Sequence, residues 1–424
     1  MGDRLARDEL ALIMASVHPF VPAGRIDTDE AEASQKIRSL WPVYAEDEIA
    51  AVVDVLRSGR VNSLHHGERC AAFEAAFTRL CDMPHAVAVA NGTVALEVAL
   101  RALGIGPGDE VIVPARSFVA SASCVVAVGA TPVFADVDET SQGLSVASVE
   151  AQLSARSRAI IVVHIGGYPA AADELATLAR RRGLKLIEDG AQAHGATRDG
   201  RPVGSFGDAA AFSFCTDKIM STGGEGGMLV MRDGDVARRA WSLKDHGKEL
   251  SATAAPATGH VFRWVHESFG SNYRLTEMQA AIGLIQLGKL EQWIATRRRN
   301  AAAILAELAP APALRIFRPD SNIGHAWYKF YSFVRPEWLR AGWTRDRIVE
   351  EAWARGIPCL SGICPEIYRE HAFTAASIGP ARPLPMARRM GETSLMLPVD
   401  PTLAETDCRR MGRVLRAIVD EASR

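Results

Sequence analysis

Short aliphatic runs alternate along this chain with longer segments in which apolar residues recur every three or four positions. Several of the short runs have no polar positions, which is typical of strands covered on both faces. The predicted strands are residues 86–90, 110–114, 131–135, 159–164, 184–188, 209–214 and 228–231. The pattern therefore predicts the α/β class, with a mostly parallel seven-stranded sheet between helices.

The segments with helical spacing predict helices that alternate with these strands and continue beyond them. They are residues 46–57, 68–80, 94–103, 276–290, 344–355 and 405–421. Because only one further strand, residues 327–334, accompanies the later helices, they predict a smaller C-terminal α/β domain. We therefore expect an N-terminal helix and connector (1–41), a large domain (42–290) and a small domain (291–424).

Charge and composition narrow the possible partners. The 48 Lys and Arg residues against 50 Asp and Glu give a formal net charge of -2, so we do not expect a nucleic-acid partner. The apolar run 10–17 is too short to cross a bilayer, and without a recognisable signal peptide we expect a cytoplasmic protein with no membrane association. Seven cysteines without CxxC spacing fit free thiols, and we expect no metal site.

Polar residues follow the first two strands, where a parallel sheet binds its ligands. After the first strand, Gly92 and Thr93 open a helix whose free N–H groups could hold a phosphate. Helix capping would explain Asn91 and Thr93 equally well. After the second strand, Phe118 could stack on a flat ligand, although core packing is the commoner role of an aromatic side chain.

An acidic residue ends the fifth strand. Asp189 would be costly to bury there without a cation or hydrogen-bond donors. Gln192 and His194 follow closely, and this clustering favours a ligand site. For His194 itself, we favour a hydrogen-bonded core histidine.

The stretch 209–228, AAAFSFCTDKIMSTGGEGGM, carries one lysine just after the sixth strand. Burial favours the neutral form of an amine, so Lys218 could attack a carbonyl group. A solvated turn lysine with Asp217 as its neighbour in charge is the alternative. A phosphate-binding turn, an aromatic face, a carboxylate and an amine are together what pyridoxal 5'-phosphate (PLP) requires of a protein.

Several segments of the chain resemble the DegT/StrS type of sugar aminotransferases, PLP enzymes with the aspartate-aminotransferase type of fold. The resemblance is strong over residues 41–302 and weaker to the C-terminus. The segments that carry it are VANGTVALEVALRALGIGPGDEVIVPARSFVAS, GATPVFADVD, IEDGAQAHGA, GSFGDAAAFSFCTDKIMSTGGEGGM, SLKDHGKE and GSNYRLTEMQAAIGLIQLGKLEQW.

The resemblance implies a role for residues at each of these turns. Lys218 would form the Schiff base with PLP, and Asp189 would pair with the pyridinium nitrogen. Gln192 would lie by the cofactor ring, and Phe118 would stack on it.

The resemblance also implies a shared site. Ser213, with Gly92 and Thr93, would hold the cofactor phosphate. Asn272 would reach the phosphate bound by a neighbouring subunit, which implies a homodimer, although the local pattern alone favours a turn residue before the helix that begins near Thr276.

The activity implied is transfer of an amino group from glutamate or glutamine to a keto sugar, most simply a nucleotide-linked keto-deoxy sugar. The cofactor would alternate between PLP and pyridoxamine 5'-phosphate. Two alternatives remain open: a keto-cyclitol (inosose) aminotransferase, and a PLP-binding sensor without turnover.

Overall fold

The computed structural model describes residues 36–250, 264–309 and 311–424, without the side chains of residues 65 and 66. The predicted N-terminal helix and most of its connector lie outside the described residues. The described strands are β1 (His85–Val89), β2 (Glu110–Pro114), β3 (Thr131–Ala135), β4 (Ser157–Val163), β5 (Lys185–Asp189), β6 (Thr197–Arg198), β7 (Arg201–Pro202), β8 (Ala209–Ser213), β9 (Gly227–Met231), β10 (Leu314–Ile316), β11 (Ile323–Gly324), β12 (Phe330–Val334) and β13 (Ser394–Leu397).

Helices connect most of these strands. Those described are α1 (Glu46–Ser58), α2 (Ser63–His66), α3 (Glu68–Cys81), α4 (Gly92–Ala102), α5 (Ala120–Ala127), α6 (Val146–Glu150), α7 (Ala172–Arg182), α8 (Gly234–Lys244), α9 (Glu277–Leu308), α10 (Arg345–Ala354), α11 (His371–Ala375), α12 (Pro385–Thr393) and α13 (Glu405–Ala422). None of them combines the length and apolar content needed to cross a membrane.

Seven strands form the central sheet in the order β1-β9-β8-β5-β4-β2-β3. Strand β9 runs antiparallel to both of its neighbours, β1 and β8, and the other neighbouring pairs are parallel. The mostly parallel seven-stranded sheet is therefore confirmed. Its six parallel strands bring their carboxyl ends to one edge, where the polar turns of the sequence follow.

Apolar side chains on both faces of the sheet explain why its strands lack polar positions. Val87 and Val89 of β1 belong to the same buried cluster as Leu96 of α4. The residue between them, Ala88, belongs to the opposite cluster with Phe73 and its neighbours in α3. Helices thus pack against both faces of the sheet. Full burial of each large aliphatic or aromatic side chain contributes about 1.5–3 kcal/mol to the stability of the fold.

A three-stranded antiparallel sheet, β10-β12-β13, forms the C-terminal part together with α9, α10 and α13. Helix α9 begins at a capping box, in which Thr276 Oγ1 accepts from the N–H of Gln279 and Gln279 Oε1 accepts from the N–H of Thr276. The helix continues to Leu308, so the predicted end at residue 290 was wrong. Residues 291–308 contain no glycine or proline to stop it.

The strand predicted from residue 327 begins later, at Phe330. Trp327 has a φ of 50°, in the left-handed region, which a strand residue does not adopt. The boundary we drew between residues 290 and 291 lies inside α9, and the division of the chain into domains stays a prediction.

Candidate active site

The register of the central sheet brings three of the predicted turns together. Asp189 at the end of β5 is level with Ala211 of β8, and Ser213 lies two residues further along β8. Ser213 and Val89, the last residue of β1, both pair with Gly227 of β9. The turn after β1 and the ends of β5 and β8 are therefore adjacent.

A glycine lets the first turn of α4 approach β8. A Cβ built on Gly92 would lie 2.6 Å from the Cβ of Ser213, closer than real side chains come. Asn91 caps the helix, its Oδ1 accepting from the N–H of Val94 at 2.9 Å. The N–H groups of Gly92 and Thr93 belong to the first turn of the helix, so no carbonyl of the same helix accepts a hydrogen bond from them. With the Ser213 hydroxyl they form a cradle that suits an anion.

The carboxylate of Asp189 is buried and accepts two hydrogen bonds. Ser121 Oγ donates to Oδ2 at 2.8 Å, and the N–H of Ala191 donates to Oδ1 at 3.2 Å. Burial raises the pKa of Asp189 above its ordinary value, against the opposing effects of the Ser121 hydrogen bond and the charge of Lys218. Within the described part of the chain, no basic side chain forms an ion pair with it. A buried carboxylate of this kind suits a cationic group of a ligand.

The sequence reasoning missed Ser121. It lies in α5, and its hydroxyl is 2.8 Å from that of Ser117. Ser117 lies in the bend before α5, so helical spacing does not link the two serines, and no local pattern indicated Ser121 as a partner of Asp189. Phe118, between them, is 52% exposed. It is therefore not a core residue, although core packing is the commoner role of an aromatic side chain.

Gln192 is fixed against the turn that follows β4. Its Oε1 accepts from the N–H of Gly166 at 2.7 Å, and the side chain is buried. The amide therefore lies at the same edge of the sheet as Asp189.

Lys218 lies in the turn after β8, with a side chain only 16% exposed. Its main chain is held by the indole of Trp41, whose Nε1–H donates to the Lys218 carbonyl at 2.8 Å. Its Nζ is 3.4 Å from Asp217 Oδ1 and 5.3 Å from the centre of the Tyr328 ring. The side chain is therefore largely covered by protein, although Asp217 is its neighbour in charge, as the alternative of a turn lysine expected.

His194 lies in the core but is not hydrogen-bonded as we expected. Neither ring nitrogen has a hydrogen-bond partner among the described residues. The ring packs against Phe77, Phe212 and Phe214. Burial, with a smaller effect of the Lys218 charge, lowers the pKa of His194 to about 3, so the ring is neutral.

Asn272 is exposed and does not join the other predicted site residues through any hydrogen bond of its side chain within the described ranges. Its main chain pairs with Asp245, and the next residue, Tyr273, accepts from the N–H of Ala90 at 2.8 Å. Asp245 in turn accepts from Lys248 at 3.0 Å and Arg274 at 2.6 Å. The segment is thus held firmly while the Asn272 side chain stays open to solvent.

No group of three or more candidate metal ligands occurs in the residues that the structure describes. The donors that are present fit PLP instead: an anion cradle for its phosphate, a buried carboxylate for its ring nitrogen and an enclosed amine for its aldehyde. Sheet topology and site together define a PLP-dependent aminotransferase of the α/β type.

The chain belongs to the DegT/DnrJ/EryC1/StrS aminotransferase family, whose sequence profile matches residues 42–416. Enzymes of this family depend on PLP, which is the cofactor of this chain.

A transaminase of Streptomyces venezuelae named for dTDP-3-amino-3,4,6-trideoxy-alpha-D-glucose is 38% identical over 87% of this chain and 90% of its own length. The GDP-perosamine synthase of Caulobacter vibrioides is 37% identical over 82% and 89%. Among solved structures, an aminotransferase from Psychrobacter cryohalolentis matches with a TM-score of 0.88 and 44% identity, over 91% of this chain and 99% of that one.

Proposed function

We propose that this aminotransferase moves an amino group from glutamate or glutamine to a nucleotide-linked keto sugar, in the cytoplasm. The observation that carries the proposal is the enclosed amine of Lys218 beside a buried carboxylate, Asp189, that has no basic partner among the described residues. Relatives of more than a third identity that are named for dTDP- and GDP-linked sugars support the substrate class.

Asp189 and the anion cradle would hold the cofactor in one orientation. Bound PLP supplies an aldehyde that condenses with amines and a ring that draws negative charge away from the substrate carbon. Asp189 would keep the proton on the ring nitrogen, because a buried carboxylate stabilises a cation that replaces its lost hydration. Gly92, Thr93 and Ser213 would fix the phosphate at the opposite end, which sets the position of the reacting carbon.

Lys218 would be the acid and base of both half-reactions. Its amine can take a proton from the amino-bearing carbon of the donor and return one to the acceptor carbon. The partly enclosed position limits exchange of that proton with water, and the Trp41 hydrogen bond fixes the main chain from which the side chain extends. Phe118, half-exposed at the same edge of the sheet, would cover one face of the ring.

Asn272 supports a homodimer whose two sites are each built from both chains. Its side chain is exposed on a rigidly held segment, as a residue that serves a second subunit would be. We expect the variants Lys218→Ala and Asn272→Ala to be weak or inactive alone. Mixed subunits should regain activity, because one site of the heterodimer then has both native residues. No recovery on mixing would exclude a shared site.

The substrate class is tested by incubating the purified enzyme with PLP, glutamate or glutamine, and a panel of nucleotide-linked keto sugars and inososes. Mass spectrometry of the amino products identifies the acceptor. An amino sugar still linked to its nucleotide supports the proposal, whereas amination only of an inosose contradicts it. A shift of the cofactor absorbance band with glutamate, without product from any acceptor, would indicate a sensor.

A further inference from the structure

The function proposed above gives no role to Asp217, the residue directly before Lys218. Its Oδ1 lies 3.4 Å from the Lys218 amine, and its Oδ2 accepts a hydrogen bond from the hydroxyl of Tyr328. We propose that Asp217, held by Tyr328, is a positioning residue that holds the Lys218 amine whenever the lysine is not bonded to the cofactor. This inference rests on the proposed transamination, in which the lysine is free of the cofactor during part of each half-reaction.

The carboxylate of Asp217 has one oxygen for each partner, so the two contacts do not compete. Burial acts to raise the pKa of Asp217, but the charge of Lys218 and the Tyr328 hydrogen bond outweigh it, and the pKa lies below its ordinary value. The group is therefore ionised at neutral pH and can attract an ammonium. A neutral Asn at this position would keep the shape and lose the charge.

Tyr328 is a rigid support for that carboxylate. Its side chain is buried in the cluster that includes Phe214 and Ile219, beside the lysine turn. Its carbonyl accepts from Arg297 Nη1 at 3.3 Å. Burial raises the pKa of Tyr328 well above its ordinary value, so the phenol keeps its proton and remains a donor.

The ring of Tyr328 also lies near two amines. The Nζ of Lys218 is 5.3 Å from its centre and that of Lys329 is 4.9 Å from it. Burial lowers the pKa of Lys329, and the charge of Asp217 opposes this effect. Asp217 thus acts electrostatically on both amines, and only Lys218 forms an ion pair with it among the described residues.

A released lysine needs such a contact because its side chain has four rotatable carbons. Efficient proton transfer requires the amine within hydrogen-bond reach of the reacting carbon. An amine whose side chain samples many rotamers would spend little time there. Trp41 fixes the main chain of Lys218, and Asp217 limits where its amine can go. A chance pair of neighbours would lack the dedicated hydroxyl donor that Tyr328 provides.

The test uses the full-length enzyme loaded with pyridoxamine 5'-phosphate, the form in which Lys218 is free. Each lysine is acetylated with acetic anhydride at one fixed neutral pH, and the rates are measured by peptide mass spectrometry. For Asp217→Asn, we expect Lys218 to react roughly five- to tenfold faster than in the native enzyme, because a charge-assisted contact is lost. For Tyr328→Phe, which keeps the charge, we expect a smaller increase of roughly two- to threefold.

Asp208→Asn is the matched control, since Asp208 Oδ1 pairs with Lys185 at 3.2 Å and both aspartates are partly exposed. It should leave the Lys218 rate unchanged, and Asp217→Asn should leave the Lys185 rate unchanged. A Lys218 rate that is the same in the native enzyme and both site variants overturns the proposal. So does an equal rise at Lys185 in Asp217→Asn.

Kinetics give the second readout. We expect both site variants to lower kcat while the KM for the amino donor stays within about twofold, because positioning acts after binding. Asp217→Glu should recover part of kcat, since it restores the charge. The proposed function is contradicted by a different result, namely that the native enzyme forms no amino product. That result does not depend on the labelling rates. A raised KM with unchanged kcat would contradict a positioning role.

Discussion

Replacing Asp189 by Asn should have opposite effects on the protein with and without its cofactor. In the cofactor-free protein, burial holds the pKa of Asp189 above its ordinary value. The folded state then binds a proton more readily than the unfolded state, so stability falls as the pH rises from the ordinary value of 3.8 through the raised one. Asn has no charge to bury, and it keeps an oxygen for Ser121. The cofactor-free variant should therefore be at least as stable as the native protein at neutral pH.

With PLP bound, the same change would remove the charged partner that we propose for the ring nitrogen. A hydrogen bond to a charged group contributes about 1.5–3 kcal/mol. At about 1.4 kcal/mol per factor of ten, its loss raises the Kd for PLP roughly 10- to 100-fold. The substitution also affects the hydrogen bond from the N–H of Ala191, at 3.2 Å. This effect is the same with and without PLP, so it cancels when the two are compared.

Thermal unfolding with and without saturating PLP, together with a cofactor titration, measures both effects. Asp208→Asn is the control, because that carboxylate is partly exposed and paired with Lys185. A variant that is destabilised equally in both forms, with an unchanged Kd, would refute an electrostatic role for Asp189 and indicate a structural one.

Three further changes test other parts of the site. Lys218→Ala should abolish amino transfer measured by product formation, and retained turnover would refute the assignment of the amine. Gly92→Ala should weaken PLP binding about tenfold or more, measured by cofactor titration, because its Cβ would lie 2.6 Å from that of Ser213. Gly288→Ala, in an open position of α9, is its control and should bind PLP normally. The native His194 ring has a pKa of about 3 when folded and takes up a proton on unfolding, so it lowers the stability of the protein as the pH falls from about 6.5 to 3. His194→Leu should make this loss of stability smaller, as measured by urea unfolding at several pH values. An unchanged pH dependence would show that His194 is not neutral in the folded state.

Residues whose chemistry follows from their own strand could be predicted from the sequence. The run 209–214 is small and aromatic apart from Ser213, so it predicts a buried strand, and β8 covers Ala209–Ser213. The rule that ligands bind at carboxyl ends then selects Asp189, Gln192 and Lys218 without any structure. Local patterns were sufficient because the strand, its turn and the polar residue lie within a few positions of one another.

Contacts between distant parts of the chain could not be predicted in this way. Ser121 and Asp189 are 68 residues apart, Tyr328 and Asp217 are 111 apart, and Trp41 and Lys218 are 177 apart. No periodicity links such pairs, because tertiary packing alone brings them together. His194 is the core histidine that we expected, but its surroundings could not be predicted, since three phenylalanines from other segments supply them.

The glycine-rich end of the lysine turn shapes both parts of the proposed cofactor site. Gly223 and Gly224 have φ values of 80° and 112°, which side chains other than glycine rarely adopt, and they shape the turn after Lys218. Gly227 serves the opposite end, because a Cβ there would lie 2.4 Å from the carbonyl of Asn91, in the phosphate-binding turn. One stretch of sequence thus sets the lysine turn and admits the phosphate turn beside β9. This explains why glycines are concentrated after the lysine.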